Sequence, residues 1–426
     1  MGIIKNWKDL NKTPQRKICL DLIEAALSSI QPQNIIQKNF SLKVNVLTIQ
    51  DKNINLENFE RIFLLGFGKG SAGLSGQIEK ILGEKLFQGM VIDLEPEEFS
   101  KIEFTRGTHP LPSEANLNFT KNALEKLLNL TERDLVIVVI AGGGSALFEV
   151  PYKITLEKLI EVNKSLLLSG ADIREMNVVR KHLSDVKGGG LIKHLYPSTV
   201  VSIIASDVPG NDLSVIASGP TVKDESTKEQ TFEILKKYNL VDKLNLSSEA
   251  FNETPKDEKY FQNVSNILIL SNQTALNAMK EKAKNLGLEA EIYSDKFQQE
   301  AKTAGQALIN KLDRKKILLA GGETTVKVLN KDGKGGRNQD LVLASFPYLS
   351  NNITIASFDT DGWDNSEFAG AIGDSLTIKK AKEENANPDE FLNNNNSYYF
   401  FEKTGDGIIT GRLPSNVSDL IIVLKN

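Results

Sequence analysis

The sequence predicts an α/β fold, with a Rossmann-like doubly wound sheet in its first half. Three observations carry this. Short, fully apolar runs such as Leu135–Ile140 read as strands buried on both faces, the kind found in parallel sheets. These runs stop at glycine clusters, GFGKG at 66–70 and AGGGS at 141–145. Segments of helical periodicity follow each cluster, so the chain repeats a strand–turn–helix unit. Ligands in such sheets collect at the carboxyl ends of the strands.

Taken in order, Arg16–Ile30 contains no Gly or Pro and has apolar residues at helical spacing, so it reads as an amphipathic helix. Residues 40–50 alternate and read as a strand. Residues 58–82 give a buried strand, the turn around Lys69, and a helix; Gly89–Leu94 gives the next strand. The proline-punctuated RGTHPLPSEANL is a loop ending near a helix start at Glu114. Asn118–Leu130 is helix, then comes the strand before Gly142, and Leu156–Leu168 is helix again. Over Asp172–Val186, at about 100° per residue, Val178, Val179, Leu183 and Val186 share one side. Asn177, Arg180, Ser184 and Lys187 form a polar stripe on the other. Three glycines and the strand of STVVSIIASDVPG follow, with Asp207 at its tip. The Lys-, Glu- and Asn-rich stretch 223–262 holds a helix at Gln230–Tyr238 and the domain boundary. Beyond it the theme recurs: strand 266–270, helix Ala275–Leu286, strand 290–294, helix Gln299–Leu312, strand 315–320, strand 353–357 and a late strand at 419–424.

Length and composition bound the function. At 426 residues two or three domains are expected. A net charge of −4 without a basic block argues against nucleic acid as a partner. The apolar runs are strand-length, far short of the roughly 20 residues of a membrane span. The N-terminus lacks the apolar core of a secretory signal, so a cytoplasmic location is expected. The lone Cys19 excludes an internal disulfide and a cysteine zinc site, and its helical neighbours Ile18, Leu22 and Ile23 mark a buried thiol.

The chemistry sits in the turns. Gly142, Gly143 and Gly144 let backbone amides approach an anion, and Ser145 adds a hydroxyl. Gly68, Gly70 and Gly73 match the dinucleotide spacing G-x-G-x-x-G, with Asp93 where a ribose-binding acid would stand. Against a dehydrogenase, Lys69 inside the turn suits phosphate better, and the downstream loops go unused. A P-loop is excluded because no glycine lies five residues before Gly68. Arg337 follows two glycines beside Asn338 and suits bidentate carboxylate or phosphate binding. GGETT sets Glu323 and two hydroxyls at a strand tip, and FDTDGWD offers Asp359, Asp361 and Asp364, one or two of which suit Mg2+ beside phosphate. His109, His182 and His194 never stand four apart, so no transition-metal site is expected. This inventory fits phosphoryl transfer to a small anionic acceptor.

The ordered motifs GFGKGSAGL, GTHPLPSEANL, AGGGSAL, NVVRKHLSDVKGGGL, SDVPGNDLSVIASGPT, GGETTVKV, GKGGRNQDLVLA, TDGWDNSEFAGA and SNVSDL resemble those of glycerate 2-kinases with a C-terminal MOFRL domain. The resemblance implies an N-terminal Rossmann-like domain, placed at 1–262, and a smaller MOFRL-type α/β domain with a mixed sheet, at 263–426. The helix at 14–30 is placed to pack across that boundary, and the resemblance implies a site in the cleft between the domains. It implies ATP-dependent phosphorylation of the C2 hydroxyl of D-glycerate with Mg2+. Lys69 and Arg337 then form the catalytic pair, with Asp207 as base or metal ligand and Asp361 as a second metal ligand. Gly68, Gly70, Gly142, Gly143, Gly144, Ser145, Arg180, Lys187, Glu323 and Asn338 would bind substrate or phosphate. A homodimer is the common expectation for such an enzyme. The chain departs from the family's usual residues at Ser113, Gly190, Asn211 and Asn365. Two alternatives stay open: an NAD(P)-dependent hydroxypyruvate reductase, and a non-catalytic sugar-acid-binding protein.

Overall fold

The structure, a computed structural model, describes residues 2–312 and 316–425. The chain divides into two compact units. One comprises residues 35–206 and 211–269; the other gathers the first 34 residues, residues 207–210 and the chain from Leu270 onward.

The first unit is built on a six-stranded sheet. Strands β1 (Phe40–Lys43), β2 (Val46–Ile49) and β3 (Lys52–Asn55) form a separate antiparallel meander. The main sheet holds β4 (Arg61–Phe67), β5 (Gln88–Asp93), β6 (Ile102–Arg106), β7 (Asp134–Ile140), β8 (Thr199–Ala205) and β9 (Val264–Leu270), in the order β6-β5-β4-β7-β8-β9. The pairs from β6 through β8 are parallel. Every residue of β7 is buried, as a parallel strand covered on both faces requires. The order reverses between β4 and β7, and that switch point is where ligands bind in open α/β sheets. Helices Leu156–Ser169, Ile173–His182 and Lys228–Lys237 contribute to a second core around Leu159, Val179, Leu235 and Phe251.

The second unit carries a mixed sheet of β10 (Glu289–Phe297), β11 (Lys316–Gly322), β12 (Ile353–Asp359), β13 (Gly370–Gly373), β14 (Gly407–Ile408) and β15 (Asp419–Lys425). Its order is β10-β11-β15-β12-β13-β14. Only β10 and β11 run parallel; β15 lies antiparallel between β11 and β12. Helix Pro14–Ser29 begins at Thr13, whose hydroxyl accepts from the Arg16 amide, with Pro14 in the first turn. It packs on helix Asn272–Asn285 of the same unit. Cys19 is fully buried there, and burial pushes its thiol up to about 12.

The expected α/β class and mixed second sheet are both present. The expected boundary at 262/263 is corrected: residues 266–270 close the first sheet as β9, and the N-terminal 34 residues join the second unit. The helix at 14–29 therefore packs within one unit. The strand read over 40–50 is broken by Val44, at φ 55°. The helix read over 172–186 stops at His182. Lys315, where the strand before Glu323 was expected to open, lies outside the described residues. Strands β6, β13 and β14 and the helices between 375 and 404 were not anticipated. Among the described residues no helix is long and apolar enough to cross a membrane.

Candidate active site

The parallel-sheet unit brings two glycine turns side by side at its switch point. After β4, Lys69 N donates to Gly142 O at 2.7 Å, and the two residues form an isolated antiparallel bridge. The turns meet so closely that a Cβ on Gly68 would lie 2.3 Å from the Ala141 carbonyl oxygen. Gly143 adopts φ 72° and starts the short helix Gly144–Leu147. The amide of Gly143 donates to no group among the described residues, which leaves it open to a ligand, while that of Gly142 faces the Lys69 carbonyl across the bridge. The Ser145 and Ser218 hydroxyls lie 2.9 Å apart, and Ser218 donates to Asn177 Oδ1 at 3.0 Å.

A cavity of about 230 Å³ opens over the second turn, lined by Gly143, Ser145, His109, Glu149, Arg180 and Lys187 among others. Arg180 donates through Nε to Asn163 Oδ1 at 3.0 Å, and its other donors find no partner among the described residues. Burial pulls its pKa below the ordinary arginine value, while the Glu149 charge works the other way. Lys187, 2% exposed, is paired with Glu149 and also reaches the Phe148 carbonyl at 3.4 Å. Burial lowers its pKa against the pull of Glu149. Ser184 fixes the other Glu149 oxygen at 2.6 Å. The Lys69 ammonium makes no hydrogen bond or ion pair among the described residues. Of the polar stripe of the sequence, Arg180 and Lys187 line this cavity, while Asn177 and Ser184 are buried behind it, bonded to Ser218 and Glu149; Ser184 and Lys187 stand in the turn beyond the helix.

Asp93 decides the dinucleotide question. Its carboxylate accepts from Gly70 N and Ala72 N, both at 2.9 Å, and from Leu94 N at 2.6 Å. It is 4% exposed. The helix N-terminus where a pyrophosphate would bind already holds an internal carboxylate. The expectation that Gly70 binds phosphate is corrected for the same reason: its amide is committed. Burial pushes the Asp93 pKa up to about 6, against the three amides.

The mixed-sheet unit centres on Arg337, the first residue of helix Arg337–Ala344. The ends of β11 and β12 and the start of β15 lie at one edge, so Glu323, Asp359 and Asp419 crowd together there. Arg337 donates through Nε and Nη2 to Asp419 at 2.6 and 3.1 Å, through Nη2 to Asp359 at 3.2 Å, and through Nη1 to Glu323. Burial followed by the neighbouring carboxylates raises the pKa of Asp359 well above the usual range, and burial raises that of Asp419 to about 6. Asp364 caps the helix, accepting from Asn338 N at 3.1 Å and Gln339 N at 2.9 Å. Asn338 is corrected as a ligand group. It is fully buried, and its amide holds Asp419 at 2.8 Å and Asp364 at 3.2 Å while accepting from Ser357.

A cavity of about 550 Å³ lies beside Arg337, walled by Val326, Val328, Trp363 and the glycines 333, 335 and 336. The Arg412 guanidinium sits 4.2 Å from the Trp363 ring centroid. Asn365 borders this cavity at φ 50°, a conformation that asparagine tolerates better than most residues after glycine. Asp361 accepts from Trp363 N at 2.9 Å and, at 3.4 Å, from Asn416. Asp207 follows β8 in the short segment that groups with this unit. Among the described residues no three acidic, histidine or cysteine side chains converge as a metal cage.

Sequence reasoning missed His109, Glu149, Asp419 and the capping roles of Asp93 and Asp364. Asp419 carried a readable signal, an acid opening the last strand; Glu149 shows none, because only the fold brings it to Lys187.

Fold and sites together define a two-unit α/β protein with paired glycine turns on a parallel sheet and an arginine held among carboxylates on a mixed one. Residues 18–251 match a domain of unknown function, DUF4147, and residues 316–419 match the MOFRL family. The chain is 38% identical to the glycerate 2-kinase of Picrophilus torridus, covering 99% of both chains. It superposes on the crystal structure of glycerate kinase from Thermotoga maritima with a TM-score of 0.86 at 33% identity, covering 96% of this chain and 99% of that one. A solved structure from Pyrococcus horikoshii gives a TM-score of 0.84 at 33% identity, over 97% and 99%. The chain belongs to the glycerate kinase family.

Proposed function

We propose that the protein transfers the terminal phosphoryl group of ATP to the C2 hydroxyl of D-glycerate, giving 2-phospho-D-glycerate. The observation that supports this best is uncommitted positive charge at the switch point. Lys69 has no side-chain partner among the described residues, Arg180 has one neutral partner, and the Gly143 amide stands open. A three-carbon acid suits the 230 Å³ cavity, which is smaller than the roughly 300–1,000 Å³ typical of larger ligands. Its carboxylate meets Arg180 and the open Gly143 amide. The 550 Å³ cavity suits the nucleotide, with Val326, Val328 and Trp363 as its apolar wall.

Phosphoryl transfer is mostly positioning and charge neutralisation. Lys69 neutralises the transferring group. Arg337 steadies phosphate with the donor its carboxylates leave over, and Asp207 takes the hydroxyl proton or binds metal. The donors fit a Mg2+ ion carried in with phosphate, since that ion is ordinarily held by one or two carboxylates and the phosphates themselves. Asp361 and Asp207 would hold it, and it would supply further neutralisation of the phosphates. The reductase reading loses its footing at Asp93, which fills the helix terminus a dinucleotide needs.

The test is ADP release with glycerate for the wild type, Lys69→Ala and Arg337→Ala. A fall in kcat of about 10²–10³ for Lys69→Ala is expected, the scale of a lost charge-stabilising group. Near wild-type kcat/KM in both variants would refute the assignment. Glycerate binding without ADP release by the wild type would favour the non-catalytic reading.

A further inference from the structure

We infer that His109 selects the acceptor acid by accepting a hydrogen bond from the hydroxyl that is not phosphorylated, the C3 hydroxyl when glycerate is bound. The inference rests on the glycerate reading above and gives that cavity its specificity element. His109 lines the 230 Å³ cavity. Its ring lies against the glycine turn: a Cβ on Gly143 would come within 2.7 Å of Cδ2 and 3.0 Å of Nε2. Neither ring nitrogen has a hydrogen-bond partner among the described residues. His182 and His194 are engaged, with the Asn252 carbonyl and Asp185 among their partners.

The cavity is rich in donors. Arg180, Lys187 and the open Gly143 amide only donate. Each Glu149 oxygen already accepts a bond, from Ser184 and Lys187, and Ser145 donates to Ser218, whose own hydrogen goes to Asn177; among the described residues, the His109 ring is the lining side-chain acceptor that carries no bond at all. A hydroxy acid seated there satisfies its carboxylate easily but needs an acceptor for its hydroxyl hydrogen. A neutral imidazole supplies one. Partial burial and the nearby Lys69 charge hold the His109 pKa down at about 4, so the ring is neutral at working pH. The same reluctance to protonate makes it a poor acceptor for the C2 proton, which must leave as the phosphoryl group arrives. That leaves the C3 hydroxyl as its partner.

D-Lactate has the carboxylate and C2 hydroxyl of D-glycerate but no C3 hydroxyl. Calorimetric binding of both acids to the wild type, His109→Ala and His109→Gln reads the contact without turnover. The wild type is expected to prefer glycerate about tenfold, the upper end for one neutral hydrogen bond. His109→Ala should abolish the preference by weakening glycerate alone, and His109→Gln should restore part of it. An unchanged preference in His109→Ala, or a wild type that binds both acids equally, overturns the inference. If the alanine variant does not fold, the wild-type preference and the glutamine variant decide. ADP release is measured separately, so an intact glycerate preference without phosphorylation would sink the kinase reading and leave this one standing.

Discussion

Replacing Arg16 by Met should cost the second unit about 3–5 kcal/mol, the usual penalty for stranding a buried charge. Arg16 is completely buried. It donates to both oxygens of Asp374 at 2.8 Å, to Asp406 at 2.6 Å and to the Thr377 hydroxyl at 2.8 Å. Asp374 would keep its two cap bonds, from Leu376 N at 2.9 Å and Thr377 N at 3.1 Å. Asp406, also fully buried, would keep only Lys380 at 3.0 Å, and its Oδ2 already lacks a partner among the described residues. Met preserves most of the volume, so the loss reports charge and not a cavity. The Arg16 bonds hold the Asp374 pKa down against its burial. A carboxylate depressed on folding stabilises above its unfolded pKa, near 4, and that contribution disappears as pH falls through the folded value. The gap between wild type and variant should therefore be full at pH 7 and narrow below about pH 4. Urea denaturation across that range measures it. A gap under about 1 kcal/mol at pH 7, or one that does not narrow in acid, would refute the reasoning.

Three further outcomes are expected. Gly143→Ala should raise KM for glycerate with a smaller change in KM for ATP, because a side chain is strained at φ 72° and its Cβ would meet the His109 ring at 2.7 Å; equal changes in both constants would point to general misfolding instead. Asp93 has a folded pKa raised to about 6, so its contribution is most favourable below about pH 4 and is lost as pH rises through 6. Asp93→Asn should therefore gain on the wild type by up to about 3 kcal/mol between pH 4 and 7, read by denaturation at each pH, and a constant difference would contradict it. Asp364→Ala removes a carboxylate from the start of the Arg337 helix and should lower both melting temperature and kcat, with little change in KM for glycerate.

Much of this architecture was legible because its signals are local. The all-apolar run of β7 and the glycines after it need no tertiary knowledge to be read as strand and turn. The polar stripe was drawn on a helix one turn too long; Arg180 and Lys187 reach the cavity, while Asn177 and Ser184 are buried behind it. The unit boundary was not legible. What ties the first 34 residues to the second unit is Arg16 reaching Asp374 and Asp406, a contact across more than 350 positions. Strand 266–270 looked like the start of a new sheet because a single strand carries no mark of which sheet it will join. At the sites, glycine turns announced where ligands approach but not what already fills them. The amides of Gly70 and Asn338 were claimed by Asp93 and Asp364, acids that stand 23 and 26 residues away.

The most direct test of the central claim is the identity of the product. The wild type, given D-glycerate, ATP and Mg2+, should yield 2-phospho-D-glycerate by phosphorus NMR together with ADP, and Lys69→Ala should yield almost none at unchanged melting temperature. Formation of 3-phosphoglycerate, ATP left intact, or undiminished 2-phosphoglycerate from Lys69→Ala would contradict it.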